Sequence, residues 1–151
     1  MMPGARPQLS LKGRALRFLS QREHSRAELE RKLREHEEEP GQLSRILDEL
    51  QSRGFIDHER VAESVVNRRS AKLGAMRIRQ ELQAKGLDAQ LVQDTVARLR
   101  DTEVERAFEV WRRKFDAVPL DAAERAKQAR FLAARGFGGE VISRVLRGTE
   151  D

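Results

Sequence analysis

Three histidines, His24, His36 and His58, are the side chains of this sequence best suited to proton transfer or metal binding near neutral pH. They are scattered, and none has a second ligand at metal-binding spacing. Asp57 has the chemistry of a general base. It directly precedes a helical pattern, however, and reads better as a cap for the first free amides of that helix. Gly136-Phe137-Gly138-Gly139 has the glycine density of a phosphate loop but neither its lysine nor the strand that should precede it. It reads as a tight turn between helices. Cysteine is absent, which excludes a disulfide frame, a thiolate zinc site and a thiol nucleophile. No catalytic residue, cofactor site or metal ligand is therefore assigned, and an enzyme is not expected.

The chemistry on offer is cationic. The 151 residues carry a net charge of +5, and the pI near 10.2 favours an anionic partner, above all nucleic acid. Residues 1–57 hold 11 Lys/Arg against 10 Asp/Glu and residues 101–151 hold 10 against 10, whereas residues 58–100 hold 9 against 5. The excess thus sits in the middle, where Arg68, Arg69 and Lys72 end one helical pattern and Arg77, Arg79 and Lys85 follow on the next. Arg77, Glu81 and Lys85 share a helical face, so Glu81 is expected to neutralise part of that charge. Trp111-Arg112-Arg113-Lys114 sets three cations beside an aromatic whose place on an apolar stripe suggests core packing over base stacking. Arg22, Arg69 and Lys114 each follow a matching alanine by two helical turns. Two readings stay open for them: a repeated cationic ridge, or aliphatic stems snorkelling over the core edge. The plain alternative for all ten cations is solubility of a helical surface.

These side chains must be positioned by helices. Charged residues make up 36%, while Gly and Pro are sparse and Tyr is absent, a mixture that suits helices and offers little to a sheet. After a proline-bearing tail over residues 1–8, Leu11, Ala15, Phe18 and Leu19 form an apolar stripe. Ser25 to Glu28 spells a capping box, opening a helix with Leu29 and Leu33 inward. Arg26/Glu30, Glu28/Lys32 and Glu30/Arg34 are spaced for ion pairs on its solvated face. The acidic run Glu37-Glu38-Glu39 before Pro40-Gly41 reads as a frayed helix end. Leu43, Ile46, Leu47 and Leu50 give a third helix, stopped by Gly54, with Phe55 expected to fold back on its last turn and Asp57 to start the next helix.

The cycle then recurs. Ala15/Phe18/Leu19, Ala62/Val65/Val66 and Ala107/Val110/Trp111 share one spacing, and Leu33, Leu82 and Leu132 occupy equivalent places in the second helices. Lys85-Gly86-Leu87 and Arg135-Gly136-Phe137 are matching helix stops, and Pro119 with Asp121 and Glu124 starts a helix. The expected fold is all-α, with three tandem three-helix repeats forming an elongated, curved helical array. The repeats are expected at 9–56, 57–100 and 101–151. No apolar run is long enough to cross a membrane and no signal-peptide core is present, so a cytoplasmic protein without a membrane partner is expected.

The segments Arg22-Glu23-His24-Ser25-Arg26-Ala27-Glu28-Leu29 with Leu33, Gly54-Phe55-Ile56-Asp57 leading to Arg60 and Ala62, and Gly74, Arg77, Ile78, Glu81, Leu82 and Gly86 together resemble the RecX family of bacterial RecA regulators. The resemblance covers residues 11 to 100 well and the third repeat more weakly. His58 stands where the family commonly has an acidic residue, and Val61 where an aromatic is usual. The resemblance implies a tandem three-helix protein that binds the RecA recombinase in its single-stranded-DNA filament, and a monomer is expected. It implies damping of the recombinase, ATPase and coprotease activities of RecA in homologous recombination, DNA repair and the SOS response. Double-stranded DNA is a further expected ligand. The partner or DNA contacts are then expected among Arg22, Arg68, Arg69, Lys72, Arg77, Arg79, Lys85, Arg112, Arg113 and Lys114. Two other classes stay open, a sequence-independent nucleic-acid binder without RecA contact and a helical protein-interaction scaffold.

Overall fold

Capping chemistry divides the chain into helices much as its polar residues suggest. The computed structural model describes residues 8–148, and all regular structure among them is helical. The order is α1 (Leu11–Gln21), α2 (Arg26–Leu33) with a 3₁₀ turn over Arg34–His36, α3 (Gln42–Ser52), α4 (His58–Arg69), α5 (Ala75–Ala84), α6 (Ala89–Arg100), α7 (Glu103–Arg112), α8 (Ala122–Ala134) and α9 (Gly139–Leu146). Apart from Gln8, the tail expected over residues 1–8 lies outside the described residues. The Ser25 capping box is complete in both directions, its hydroxyl accepting from the Glu28 amide and Glu28 Oε1 accepting from the Ser25 amide. Asp57 accepts from the amides of Glu59 and Arg60, and Asp88 and Asp121 do the same for Leu91 and Glu124. Each such cap contributes about 1 kcal/mol.

Three helices end in one backbone device. Gly54, Gly86 and Gly136 have φ of 83°, 73° and 94°. The amide after each glycine reaches back to a leucine carbonyl five residues earlier: Phe55 to Leu50, Leu87 to Leu82 and Phe137 to Leu132. The left-handed turn is open to glycine without steric cost. At two of these stops the following side chain enters the core, with Leu87 and Phe137 buried. The first differs from expectation. Phe55 is 46% exposed, and the next residue, Ile56, is buried while its amide shares the Leu50 carbonyl.

The chain divides into two compact units, Met1–Val61 and Ala62–Asp151. In the first, α1–α3 close around Leu29, Leu33, Leu47, Leu50 and Ile56, flanked by Leu11, Ala15 and Leu43. Full burial of each such side chain stabilises the unit by roughly 2 kcal/mol. Glu28, expected on the solvated face, is instead buried, because its carboxylate serves the capping box and accepts from Arg22. Glu37 is not frayed either: its Oε2 accepts from the Leu43 amide at 2.8 Å, capping α3, whose preceding Gly41 has no side chain to do so.

In the second unit Ile78, Leu82, Leu87, Val92, Val96 and Leu99 bury the inner faces of α5 and α6. Leu132, Phe137, Ile142, Val145 and Leu146 pack with Ala107, Val110 and Trp111 of α7. The sequence motifs of the second and third repeats meet at Arg106. Its Nη1 donates to the carbonyls of Ser70 and Leu73, left free after α4, and its Nη2 to Leu99, which also accepts from the Thr102 amide. Buried Glu103, one turn earlier on α7, accepts from the Ala75 amide at the start of α5. Gly74 donates to the Arg135 carbonyl and Met76 to the Gly136 carbonyl, so the open amides of α5 meet the open carbonyls of α8.

Candidate functional site

The cations singled out from sequence fall into two groups, those held by an acceptor within their own unit and those facing solvent. Arg22 follows α1 and lays its Nη2 on Glu28 Oε2 at 2.8 Å, while its Nη1 donates to the Glu23 carbonyl. Arg68 and Arg69 in the last turn of α4 share one carboxylate, with Glu81 Oε2 3.3 Å from Arg68 and Oε1 3.0 Å from Arg69. The i, i+4 spacing that placed Arg77 beside Glu81 is overridden, because Arg77 Nη1 donates to the Ala134 carbonyl at 2.7 Å. Its planar fork thus closes a carbonyl at the end of α8 that no amide of that helix can reach. Arg112 pairs with Glu109 at 2.9 Å. Lys114 lies over the Phe131 ring, 5.8 Å from its centroid, and Arg135 approaches the same ring at 4.8 Å. Lys72 and Arg113 are exposed, and Lys85 is half-buried at the cap of α5.

The repeated cation is therefore committed inside each repeat. Arg22 reaches α2 through Glu28, Arg69 reaches α5 through Glu81, and Lys114 reaches α8 through Phe131. Each head is thus anchored over the second helix of its repeat. Arg22 and Arg69 keep 43% and 46% of their side chains exposed, so both heads still face water. Trp111 is buried, its Nε1 donating to Gln128 Oε1 at 2.8 Å, as core packing requires. Gln128 Nε2 in turn donates to the Ala117 carbonyl.

His24 and His58 hold backbone and side-chain groups in place, while His36 lies 3.6 Å from its neighbour Glu35. His24 is 1% exposed, its Nδ1 is 3.1 Å from the Arg22 carbonyl, and its Nε2 is 2.9 Å from Lys32 Nζ. A neutral ring protonated on Nδ1 satisfies both contacts, donating to the carbonyl and accepting from the ammonium. Burial, reinforced by the charges of Arg22 and Lys32, holds its pKa below the usual histidine value. His58 Nε2 accepts from the Arg26 amide at 3.2 Å, one of the open donors at the start of α2. Among the described residues no group of three or more His, Cys, Asp or Glu could hold a metal ion.

Arg79 leads to a feature that sequence reading did not find. It lines a groove of about 830 Å³ between α5, α6, α7 and the start of α9, together with Arg100 and Arg144. A smaller hollow of about 520 Å³ shares Arg79, Gln83 and Arg100 and extends the groove along α6. Arg100 and Arg144 escaped notice because each has an acidic residue at pairing distance in sequence, Glu103 and Glu140. For Arg79 the signal was present: positions 75, 76, 82 and 83 hold no carboxylate.

Comparison with known proteins places this architecture. The family models described as the first, second and third three-helix domains of RecX match residues 12–50, 57–96 and 101–146. The regulatory protein RecX of Leptothrix cholodnii is 53% identical over 146 residues, covering 97% of this chain and 93% of that protein. The regulatory protein RecX of Ralstonia nicotianae is 46% identical over 145 residues, with 96% and 91% covered. The crystal structure of RecX from Lactobacillus salivarius superposes with a TM-score of 0.78 at 24% identity, covering 91% of this chain and 93% of that one, a likeness of fold. With all three domains matched in order and the relatives aligned almost end to end, the chain belongs to the RecX family.

Proposed function

We propose that the chain binds the RecA recombinase in its single-stranded-DNA filament and regulates it, mainly by inhibition, without catalysing a reaction of its own. Family membership across the whole repeat carries this reading, since the relatives are named regulatory proteins. A surplus of Arg and Lys supports it, because filament and DNA both present anionic surface. The repeats proposed at 9–56, 57–100 and 101–151 would each add a modest contact, and linked contacts bind more tightly than any one alone. The protein is proposed to act as a cytoplasmic monomer; no helix among the described residues is long and apolar enough to cross a membrane.

Among the predicted contacts, Lys72 and Arg113 suit phosphate or carboxylate capture best, being exposed cations at helix ends. Arg68 and Arg69 contribute less net charge than their number suggests because Glu81 sits between them. The deciding experiment is single-stranded-DNA-dependent ATP hydrolysis by the cognate recombinase, titrated with this protein, with and without a large excess of DNA. Inhibition at protein levels well below the recombinase, surviving excess DNA, is the expected result. Inhibition abolished by the added DNA would leave a sequence-independent nucleic-acid binder, for which the net charge of +5 gives some support.

A further inference from the structure

The groove between α5, α6, α7 and the start of α9 sets an exposed apolar side chain beside a cluster of cations. Its apolar side is Met76, 58% exposed, with half-buried Val104 and Val141 over the buried Val96. Its cationic side is Arg79, Arg100 and Arg144, whose side chains make no ion pair or hydrogen bond among the described residues. Other arginines of this unit near a groove wall or helix end do have acceptors, Arg69 on Glu81, Arg77 on the Ala134 carbonyl and Arg112 on Glu109, whereas these three share one hollow without any. Three guanidinium groups along one groove repel one another until an anion enters, and each can grip a carboxylate with two parallel hydrogen bonds.

A nucleic acid strand is the less suitable occupant. No aromatic ring lines the groove, so exposed bases have nothing to stack on. The Glu140 carboxylate on the wall weighs against any anion, and more against a strand of closely spaced phosphates than against a peptide with few carboxylates. An aliphatic floor with a flexible methionine suits an apolar side chain instead. Gln80 and Gln83, both exposed along α5, supply amide donors and acceptors at the height of a peptide backbone.

We infer that this groove is a protein-docking site whose occupant is a peptide segment bearing carboxylates beside an apolar anchor, presented by the recombinase. The inference rests on the proposed regulatory function and assigns its protein contact, leaving DNA to the exposed cations elsewhere. The anchor lies on Met76 and the valines, and the carboxylates are taken by Arg79, Arg100 and Arg144.

The test uses the full chain and two variants, the double change Arg79→Gln with Arg144→Gln, and Met76→Ser. Both should keep the helical circular dichroism and melting temperature of the parent, since these side chains face the groove. Two readouts are compared: inhibition of the recombinase's DNA-dependent ATP hydrolysis, and binding of labelled oligo(dT) by fluorescence anisotropy. Each variant should need about tenfold more protein for the same inhibition, the loss of one or two charge-assisted contacts or a buried anchor. Met76→Ser, which changes no charge, should leave oligo(dT) binding unaltered. Parent-like inhibition by both variants would overturn the docking site while leaving the regulatory function standing. A loss of oligo(dT) binding by Met76→Ser that matches its loss of inhibition would overturn it in favour of a nucleic-acid groove. A parent protein that fails to inhibit at all would defeat the regulatory reading and this inference together.

Discussion

Gly74 and Gly136 meet backbone to backbone. A Cβ built on Gly74 would stand only 2.6 Å from the Phe137 amide nitrogen, with the Gly136 carbonyl nearer still. The Gly74 dihedrals, φ −82° and ψ 171°, are open to any residue, so glycine is required here by proximity and not by conformation. Gly74→Ala should therefore destabilise the second unit by about 1–3 kcal/mol, since backbone cannot move aside as a flexible side chain can. Urea unfolding followed by circular dichroism would measure it. The same substitution at Gly138, also a helix N-cap but with nothing within 4 Å of a Cβ, should show only the smaller cost of alanine at a cap and serves as the control.

Arg106 holds three carbonyls from two helix ends. Replacing it with methionine keeps the aliphatic stem and removes every donor, leaving the Ser70 and Leu73 carbonyls unpaired in a half-buried setting while Leu99 keeps the Thr102 amide. A loss of about 2–4 kcal/mol is expected, more than an exposed ion pair could account for. Arg106→Lys should recover only part of it, because a single ammonium cannot span the same set of acceptors. Thermal melting of the three proteins would rank them.

His24 makes stability depend on pH. Its folded pKa lies below the usual 6.5, so the unfolded chain takes up the proton more readily. Its contribution is complete above about 6.5 and is lost progressively as pH falls below that value towards the folded pKa. Glu49, whose pKa is lowered chiefly by the hydrogen bond and charge of Lys12, begins to matter only below the ordinary 4.5. Between pH 7 and pH 5 the parent should therefore lose more stability than His24→Gln. Equal slopes in urea midpoint against pH would remove His24 from the account.

Glu81 restrains two cations at once. Glu81→Gln should release Arg68 and Arg69, strengthen oligo(dT) binding a few-fold at low salt, and steepen the fall of affinity with salt by up to one or two ions. Changing Arg68, Arg69 and Lys72 together to Ala should act oppositely and weaken filament inhibition while helicity is unchanged. Anisotropy titrations at several salt concentrations would separate the two effects.

What could be read from the sequence is what neighbours along the chain decide. The capping box at Ser25, the caps at Asp57 and Asp121, and the glycine stops at 54, 86 and 136 all act through bonds between residues a few positions apart. Their partners are therefore adjacent in sequence. The apolar stripes followed from the same helical period, and the buried side chains of α1, α4 and α7 include Ala15, Ala62 and Ala107 at the expected equivalent places.

Tertiary structure decided everything that depends on which helix lies beside which. Arg106 finds carbonyls, and because every residue carries one, no residue type could mark Ser70, Leu73 and Leu99 as its acceptors. Glu81 turned to a neighbouring helix instead of its own face, and Ile56 entered the core where Phe55 was expected. The groove of Arg79, Arg100 and Arg144 gathers side chains from three helices far apart in sequence, a juxtaposition that no spacing rule along one helix encodes. Local hydrogen bonding determined where the helices of this protein begin and end, and packing determined which of their charges remain available to a partner.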